Sequence, residues 1–295
     1  MSLEKPTKRF RALLARKEIT LLPGVGDPFT ARLVAAEGYD ALMSSGNASS
    51  AMRLGLPDVG LMTLAENAEN AGRIAAASGL PVFADADTGY GPAINVCRTI
   101  MEFERAGVAA VMLEDQVTPK RCGMMAGKQV ISTSEMEMKI KSALDARRDD
   151  GLVIVARTDA RAVEGLDAAI RRAEAYQRAG ADAIFVEGPK TEEEATEIAR
   201  RIDAPMLYNI TPTGSVAPLT VETLEALGYK MLSTSVYTVL AAIPGLRHFL
   251  RTLKQTGDVA KAGSHVAAMA DYYDILKLED WQDLEERYSN STKHD

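Results

Sequence analysis

Eight short apolar or β-branched runs recur along the chain at fairly even spacing, each closing on a polar or glycine cluster. They are ITLLPG (19–24), ALMSSG (41–46), VFADAD (82–87), VAAVMLED (108–115), LVIVARTD (152–159), AIFVEG (183–188), PMLYNI (205–210) and KMLSTS (230–235). Short runs bounded by turn formers read as strands, and runs apolar on both faces suit a parallel sheet covered on both sides. Between them lie segments with helical periodicity and cap signals: PFTARLVAAEG, TLAENAENAGRIAAASG, AINVCRTIMEFERAG, STSEMEMKIKSALDARR, GLDAAIRRAEAYQRAG, TEEEATEIARRI and TVETLEALG. Several end in Gly, which a left-handed C-cap prefers. A strand–helix unit repeated eight times predicts an α/β fold of the (β/α)8 TIM-barrel type. The alternative, an open doubly wound sheet, normally carries GxGxxG after its first strand, and PGVGDP matches that only partially.

After the eighth run, VYTVLAAIPGLRHFLRTLKQTG predicts one long helix interrupted near Pro244, and YYDILKLEDWQDLEERY a further amphipathic segment. The expectation is a single barrel domain over 1–295 whose last part, 236–295, is a helical extension. That extension exceeds what one barrel needs. It is expected to pack on a neighbouring subunit, the alternative being that it covers the outer ring of its own barrel.

Composition narrows the partners. At 46% hydrophobic and 25% charged the chain is ordinary for a globular protein, and no apolar run is long enough to span a bilayer. The formal charge of −7, with no basic block, argues against nucleic acid and for a small-molecule enzyme. Two cysteines, Cys97 and Cys122, are too few for a disulfide framework, and the N-terminus shows no export signal, so a cytoplasmic setting is expected. The three histidines, His248, His265 and His294, sit late in the chain and outside every motif, which disfavours a His triad or a zinc site.

In barrels, catalytic groups come from the C-terminal ends of strands and the loops after them. Here those ends carry Ser44, Ser45, Gly46 and Asn47, then Asp85 and Asp87, Glu114 and Asp115, Arg157 and Asp159, Glu187, and Asn209. A DxD pair alone is more often a solvated strand end or a cap. Asp85, Asp87 and Glu114 together offer hard oxygen ligands without His or Cys, which selects Mg2+ or Mn2+ over zinc. Arg157 suits a substrate carboxylate, with backbone donors from Gly46 and Asn47 beside it. Such a set points to a polycarboxylic or oxo acid. In DQVTPKRCGMMAGKQVIS, Lys120 and Arg121 flank Cys122 and are expected to lower its pKa toward neutrality, while Gly123 and Gly127 let the segment act as a lid.

These motifs resemble the isocitrate lyase and phosphoenolpyruvate mutase superfamily over nearly the whole chain: LPGVGDPFTARLVAAEGYDAL, SSGNASSAMRLGLPD, VFADADTGYG, MLEDQVTPKRCG, IVARTDAR, FVEGP and LEDWQDLEERY. Within it, the chain looks most like the short single-barrel lyases of the methylisocitrate lyase, dimethylmalate lyase and petal-death-protein type. The resemblance implies a Mg2+ site of Asp85, Asp87 and Glu114, with Asp58 in its water shell. It implies that Ser45, Gly46 and Asn47 hold the oxo-acid carboxylate and that Arg157 contacts substrate oxygens, with Gly123, Glu187 and Asn209 also at the substrate. Lys120 and Cys122 fall in the lyase signature KxCGH, whose cysteine protonates the carbanion product. It further implies a homotetramer in which the helix after strand eight swaps between subunits. Two positions depart from the family pattern: Met124 replaces the signature His, and NITPTGSVAP puts Pro212 where a Glu is expected, in a loop one residue longer. Both are expected near the distal half of the substrate, with Thr234 and Tyr237 also shaping the pocket.

The reading is a Mg2+-dependent carbon–carbon lyase that splits a 2-hydroxy di- or tricarboxylic acid into a 2-oxo acid and a carboxylic acid. The same site would alternatively support oxaloacetate decarboxylation or hydrolysis, or phosphonopyruvate-type chemistry. A non-catalytic binding protein is the third possibility, disfavoured by the intact Asp85, Asp87, Glu114, Cys122 and Arg157.

Overall fold

Each of the eight predicted runs pairs in parallel with the next, and the last closes on the first. In the computed structural model, which describes residues 4–214 and 216–291, the strands are β1 (Thr20–Val25), β2 (Leu42–Ser44), β3 (Val82–Asp85), β4 (Ala110–Glu114), β5 (Val153–Thr158), β6 (Ala183–Val186), β7 (Met206–Asn209) and β8 (Met231–Thr234). Parallel neighbours need a crossover, and helices between the strands supply it. The architecture is therefore the expected (β/α)8 barrel, and the open doubly wound sheet is excluded by the β1–β8 pairing.

Side chains alternate across a strand, so each strand serves two cores. One row, including Val82 and Ala84, Val111 and Leu113, Ile154 and Ala156, and Ile184 and Val186, packs outward with the helices. The other row, including Leu22, Met43, Phe83, Ala110 and Met112, Val153 and Val155, Phe185, Leu207 and Met231, fills the barrel interior. The helix Pro6–Ala15, which the hydrophobic pattern left unassigned, joins this interior cluster through Phe10, Leu13 and Leu14. Their i, i+3, i+4 spacing makes one apolar stripe on a basic helix, with Pro6 at its start. Arg11 fastens the helix to the barrel by donating to Asp182 and to the carbonyls of Asp150 and Gly151.

The chain divides into two compact units, Met1–Val239, which contains the barrel, and Leu240–Asp295. Helix Tyr237–Thr256 runs through Pro244 where an interruption was expected; a proline lacks the N–H for one backbone bond, and the twenty-residue helix continues past it. Helices Val259–Ala262, Met269–Leu276 and Leu278–Ser291 follow. Large apolar side chains stand out from the second unit, Leu246 at 61%, Leu250 at 60% and Trp281 at 65% exposed. Among the described residues, no helix is long and apolar enough to cross a membrane.

Phe10 is fully buried with its ring 6.3 Å from that of Phe83. Phe10→Ala is expected to destabilise the barrel by about 3–5 kcal/mol, read by chemical denaturation, because it leaves a cavity in the fully buried interior core.

Candidate active site

The inward row turns polar near the C-terminal end of the barrel. It runs from Phe83 to Asp85 on β3, from Met112 to Glu114 on β4, from Val155 to Arg157 on β5 and from Leu207 to Asn209 on β7, and on β6 it continues past Phe185 to Glu187 just beyond the strand. Register sets Glu114 opposite Arg157 on adjacent strands. After Asp85 the backbone turns sharply: Asp87 has φ +49°, a conformation a non-glycine residue adopts at a cost. The turn lets the Asp87 N–H donate to Asp85 Oδ1 (3.1 Å), while the Gly46 N–H donates to Asp85 Oδ2 (3.3 Å). A Cβ on Gly46 would lie 2.8 Å from Asp85 Oδ2 and 3.4 Å from Asp87 Oδ1, so both carboxylates crowd the same backbone. Asn67 supports the turn from the neighbouring helix, donating to the Asp85 carbonyl and to the Tyr90 hydroxyl.

Like charges this close need a counter-charge, and Lys120 supplies it. Its ammonium, 4% exposed, pairs with Asp58 and lies 2.7 Å from Asp87 Oδ1. Burial works against that charge, but Asp87, Glu114 and Asp58 hold it well above the ordinary lysine range. Asp87 is nevertheless pushed up to about 6, chiefly by burial, with Lys120 opposing. Glu114 goes well above its usual range for the same first reason, Arg157 opposing. At 1% exposure neither Glu114 oxygen has a hydrogen-bond donor, and its contact with Arg157 Nη1 at 3.2 Å is off the hydrogen-bonding direction.

Arg157 is held as a fork. Its Nε donates to Asp159 Oδ2 (2.9 Å) and its Nη2 to Asp159 Oδ1 (3.0 Å), while the guanidinium stacks 5.4 Å over the Phe185 ring. Asp159 is fully buried; burial alone would raise its carboxyl, but Arg157 and Lys128 hold it below the usual range. Behind it, Asp115 on the outward row accepts from the Asp159 N–H, Thr158 Oγ1 and the Tyr176 hydroxyl.

Cys122 comes from the long segment after β4. Its N–H donates to the Asp58 carbonyl (3.1 Å), and Asn47 Nδ2 donates to its sulfur (3.2 Å). It lines a small cavity with Ser45, Asn47, Asp58, Asp85, Gly123, Arg157, Glu187 and Asn209. Met43, Met112 and Phe185 add apolar side chains, and Thr211, Ser233 and Ser235 add hydroxyls. At about 30 Å3 the cavity is far below the ~300 Å3 of an ordinary ligand pocket, and Cys122, Gly123 and Met124 of the 116–130 segment form part of its wall.

Of the sequence-predicted residues, Ser45, Asn47, Asp58, Asp85, Cys122, Gly123, Arg157, Glu187 and Asn209 converge on that cavity; Asp87, Glu114 and Lys120 adjoin them in the ion-pair network. Four expectations change. Lys120 does not activate the thiol: its ammonium is turned to Asp58 and Asp87, and burial pushes Cys122 up, not down. Cys122 is itself buried, at 6% exposure, despite its cationic sequence neighbours. The Gly46 N–H donates to Asp85 and so orients that carboxylate. Met124 lines the cavity, but Pro212 is exposed and Thr211, Ser233 and Ser235 stand where Pro212, Thr234 and Tyr237 were expected. Among the described residues no histidine lines it, and His294 lies outside them.

Sequence reasoning missed Lys128 and the supporting role of Asp159 and Asn67. Asn67 and Asn70 were legible as polar residues three apart among Ala68, Ala71 and Ile74; Lys128 carried no such signal.

The donor set suits a hard divalent cation. Among the described residues, the ion pairs of buried Asp58, Asp87, Glu114, Asp159 and Glu187 are with Lys120, Lys128 and Arg157, Asp85 has none, and buried carboxylates without partners are costly. Among the described residues no group of three His, Cys, Asp or Glu side chains is drawn into a ready cage. Magnesium does not require one, because it keeps several waters and needs one or two carboxylates.

The chain is similar to known proteins over most of its length. The family model for phosphoenolpyruvate phosphomutase matches residues 10–254. The chain is 40% identical to a 2,3-dimethylmalate lyase of Eubacterium barkeri, covering 95% of this chain and 97% of that one. It is 42% identical to a 2-methylisocitrate lyase of Aeropyrum pernix, covering 95% and 90%. Among solved structures it is similar to oxaloacetate acetylhydrolase bound to 3,3-difluorooxalacetate, with TM-score 0.91, 32% identity and 97% of each chain covered. It is also similar to phosphonopyruvate hydrolase with oxalate and Mg++, with TM-score 0.87, 26% identity and 97% and 99% covered.

A thiol raised by burial stays protonated at neutral pH and becomes thiolate only above its shifted pKa. The pH profile of Cys122 alkylation by iodoacetamide, followed by peptide mass, is expected to inflect above the ordinary thiol value of about 8.5. An inflection at or below that value would contradict the burial argument.

Proposed function

The chain belongs to the phosphoenolpyruvate mutase/isocitrate lyase superfamily, and from that premise we propose that it is a Mg2+-dependent lyase cleaving the C2–C3 bond of a 2-hydroxy dicarboxylic acid of the substituted-malate type. The products are a 2-oxo acid and a carboxylic acid. The observation that carries this reading is the position of Cys122, a protonated thiol lining the same cavity as Asp85 and Arg157.

Ser45 and Asn47 receive the carboxylate of the oxo-acid half, and Arg157, oriented by Asp159, draws substrate oxygens toward its guanidinium. Asp85, Asp87 and Glu114 would hold the magnesium ion, with Asp58 next to its waters; when bound it supplies positive charge that stabilises an alkoxide or enolate oxygen. Glu187, which lines the cavity with one buried oxygen free of hydrogen-bond donors, takes the 2-hydroxyl proton; the C2=O bond forms and the C2–C3 electron pair moves to carbon 3. Cys122 donates its thiol proton to that carbon, and the thiolate is received by the Asn47 amide. Closure of the 116–130 segment excludes water from the carbanion. Among the described residues Arg157 is the single cation lining the cavity, which supports two substrate carboxylates over three. The likeness to oxaloacetate acetylhydrolase supports a second reading, hydrolysis of oxaloacetate through the same enolate. As partner we propose a second copy of the chain, with the apolar residues Leu246, Leu250 and Trp281 covered in a homotetramer.

Cys122→Ser is expected to lower kcat for malate-type cleavage by about 10^2- to 10^4-fold while calorimetric Mg2+ binding is unchanged. Full activity in that variant would remove the thiol from the mechanism. Glu114→Gln should instead weaken Mg2+ binding itself. A substrate panel with pyruvate detection is expected to favour substituted malates over 2-methylisocitrate, whereas acetate and oxalate release from oxaloacetate alone would establish the second reading. Sedimentation velocity checks the tetramer.

A further inference from the structure

The segment 116–130 is tied together at its base. Gln116 and Val130 form an antiparallel bridge, the Val117 N–H donates to the Gln129 carbonyl, and the Ile131 N–H donates to the Asp115 carbonyl. Lys128 belongs to that base, yet its side chain reaches inward and is 4% exposed. Its Nζ donates to Asp159 Oδ1 (2.9 Å) and to the carbonyl of Gly123 (2.5 Å), the residue after Cys122. Gly123 lies flat on the substrate-facing groups: a Cβ there would sit 2.6 Å from Arg157 Nη2 and 2.9 Å from Glu187 Cδ.

We infer that Lys128 is a positioning residue that latches the Cys122 segment over the site, with Asp159 as the common anchor of the latch and of Arg157. One carboxylate oxygen, Asp159 Oδ1, accepts both Arg157 Nη2 and Lys128 Nζ. The group that orients the substrate's counter-charge therefore also fixes the cation that holds the segment down. Asp159 is rigid enough for both tasks, since its own N–H is tied to Asp115, which Thr158 and Tyr176 secure in turn. Lifting the segment breaks the Gly123 contact but leaves Lys128 on Asp159, so the ammonium stays in place to catch the carbonyl again. The catalytic consequence rests on the lyase reading above; the mechanical one does not.

The test compares wild type with Lys128→Met, which removes the donor and the charge, Lys128→Gln, which keeps a donor without charge, and Lys128→Arg, which keeps both. Two quantities are read: Cys122 alkylation by iodoacetamide without substrate, and kcat for malate-type cleavage. Met and Gln are expected to speed alkylation by about 10-fold as the segment opens, and to lower kcat by about 10- to 100-fold through misplacement of the thiol, with calorimetric Mg2+ affinity unchanged. Arg should restore most of both. Wild-type alkylation in the Met and Gln variants would overturn the latch, and so would failure of both to fold, which would assign Lys128 to stability alone. If wild type itself cleaves no hydroxy acid, the lyase reading fails while alkylation still decides the latch.

Discussion

Closing eight parallel strands into a barrel leaves each side chain two choices, toward the axis or toward the helices, and successive residues must alternate between them. The strand-borne part of the candidate site follows from that pleat. On β5 the inward row reads Val153, Val155, Arg157, so two residues of core and one of chemistry share a single line. The outward row of the same stretch reads Ile154, Ala156, Thr158, and its last member joins Asp115 and Tyr176 in the brace behind Asp159. Shifting one strand by one residue would exchange the site for the brace.

The electrostatics are what make this end of the barrel costly and useful. Buried carboxylates outnumber the cations among them, and burial pushes Asp87, Glu114 and Glu187 up toward protonation. A core of pure packing would carry no such groups. The apolar interior from Phe10 through Met112 and Phe185, sealed by the helix Pro6–Ala15, supplies the stability against which they are held. A divalent cation entering the site would relieve both the excess negative charge and the Glu114 oxygens that lack a hydrogen-bond donor.

Cys122 shows how tertiary position overrides local charge. Beside Lys120 and Arg121 in sequence, it reads as a low-pKa thiol. In the fold Lys120 is drawn to Asp58 and Asp87, while the Gln116 side chain grips the Arg121 backbone from both sides. The thiol is left in a buried setting that keeps its proton, which suits an acid better than a nucleophile.

By itself the sequence determined the eight strands, the barrel and the rim on which the acidic and basic residues gather, because strand periodicity and strand-end polarity are local properties that parallel closure preserves. It also put Asp and Glu without His on that rim, a donor set that suits hard cations. The helix Pro6–Ala15 escaped notice because its apolar stripe is short and set among basic residues. Only the tertiary structure decided which cation answers which carboxylate: Lys120 for Asp58 and Asp87, and Lys128 and Arg157 for Asp159. Those pairings join residues up to 62 positions apart in the case of Lys120 and Asp58, and they depend on how a loop folds over a barrel mouth. Chain periodicity carries no record of that, because a lysine reaching inward and a lysine reaching into water leave the same letter in the sequence.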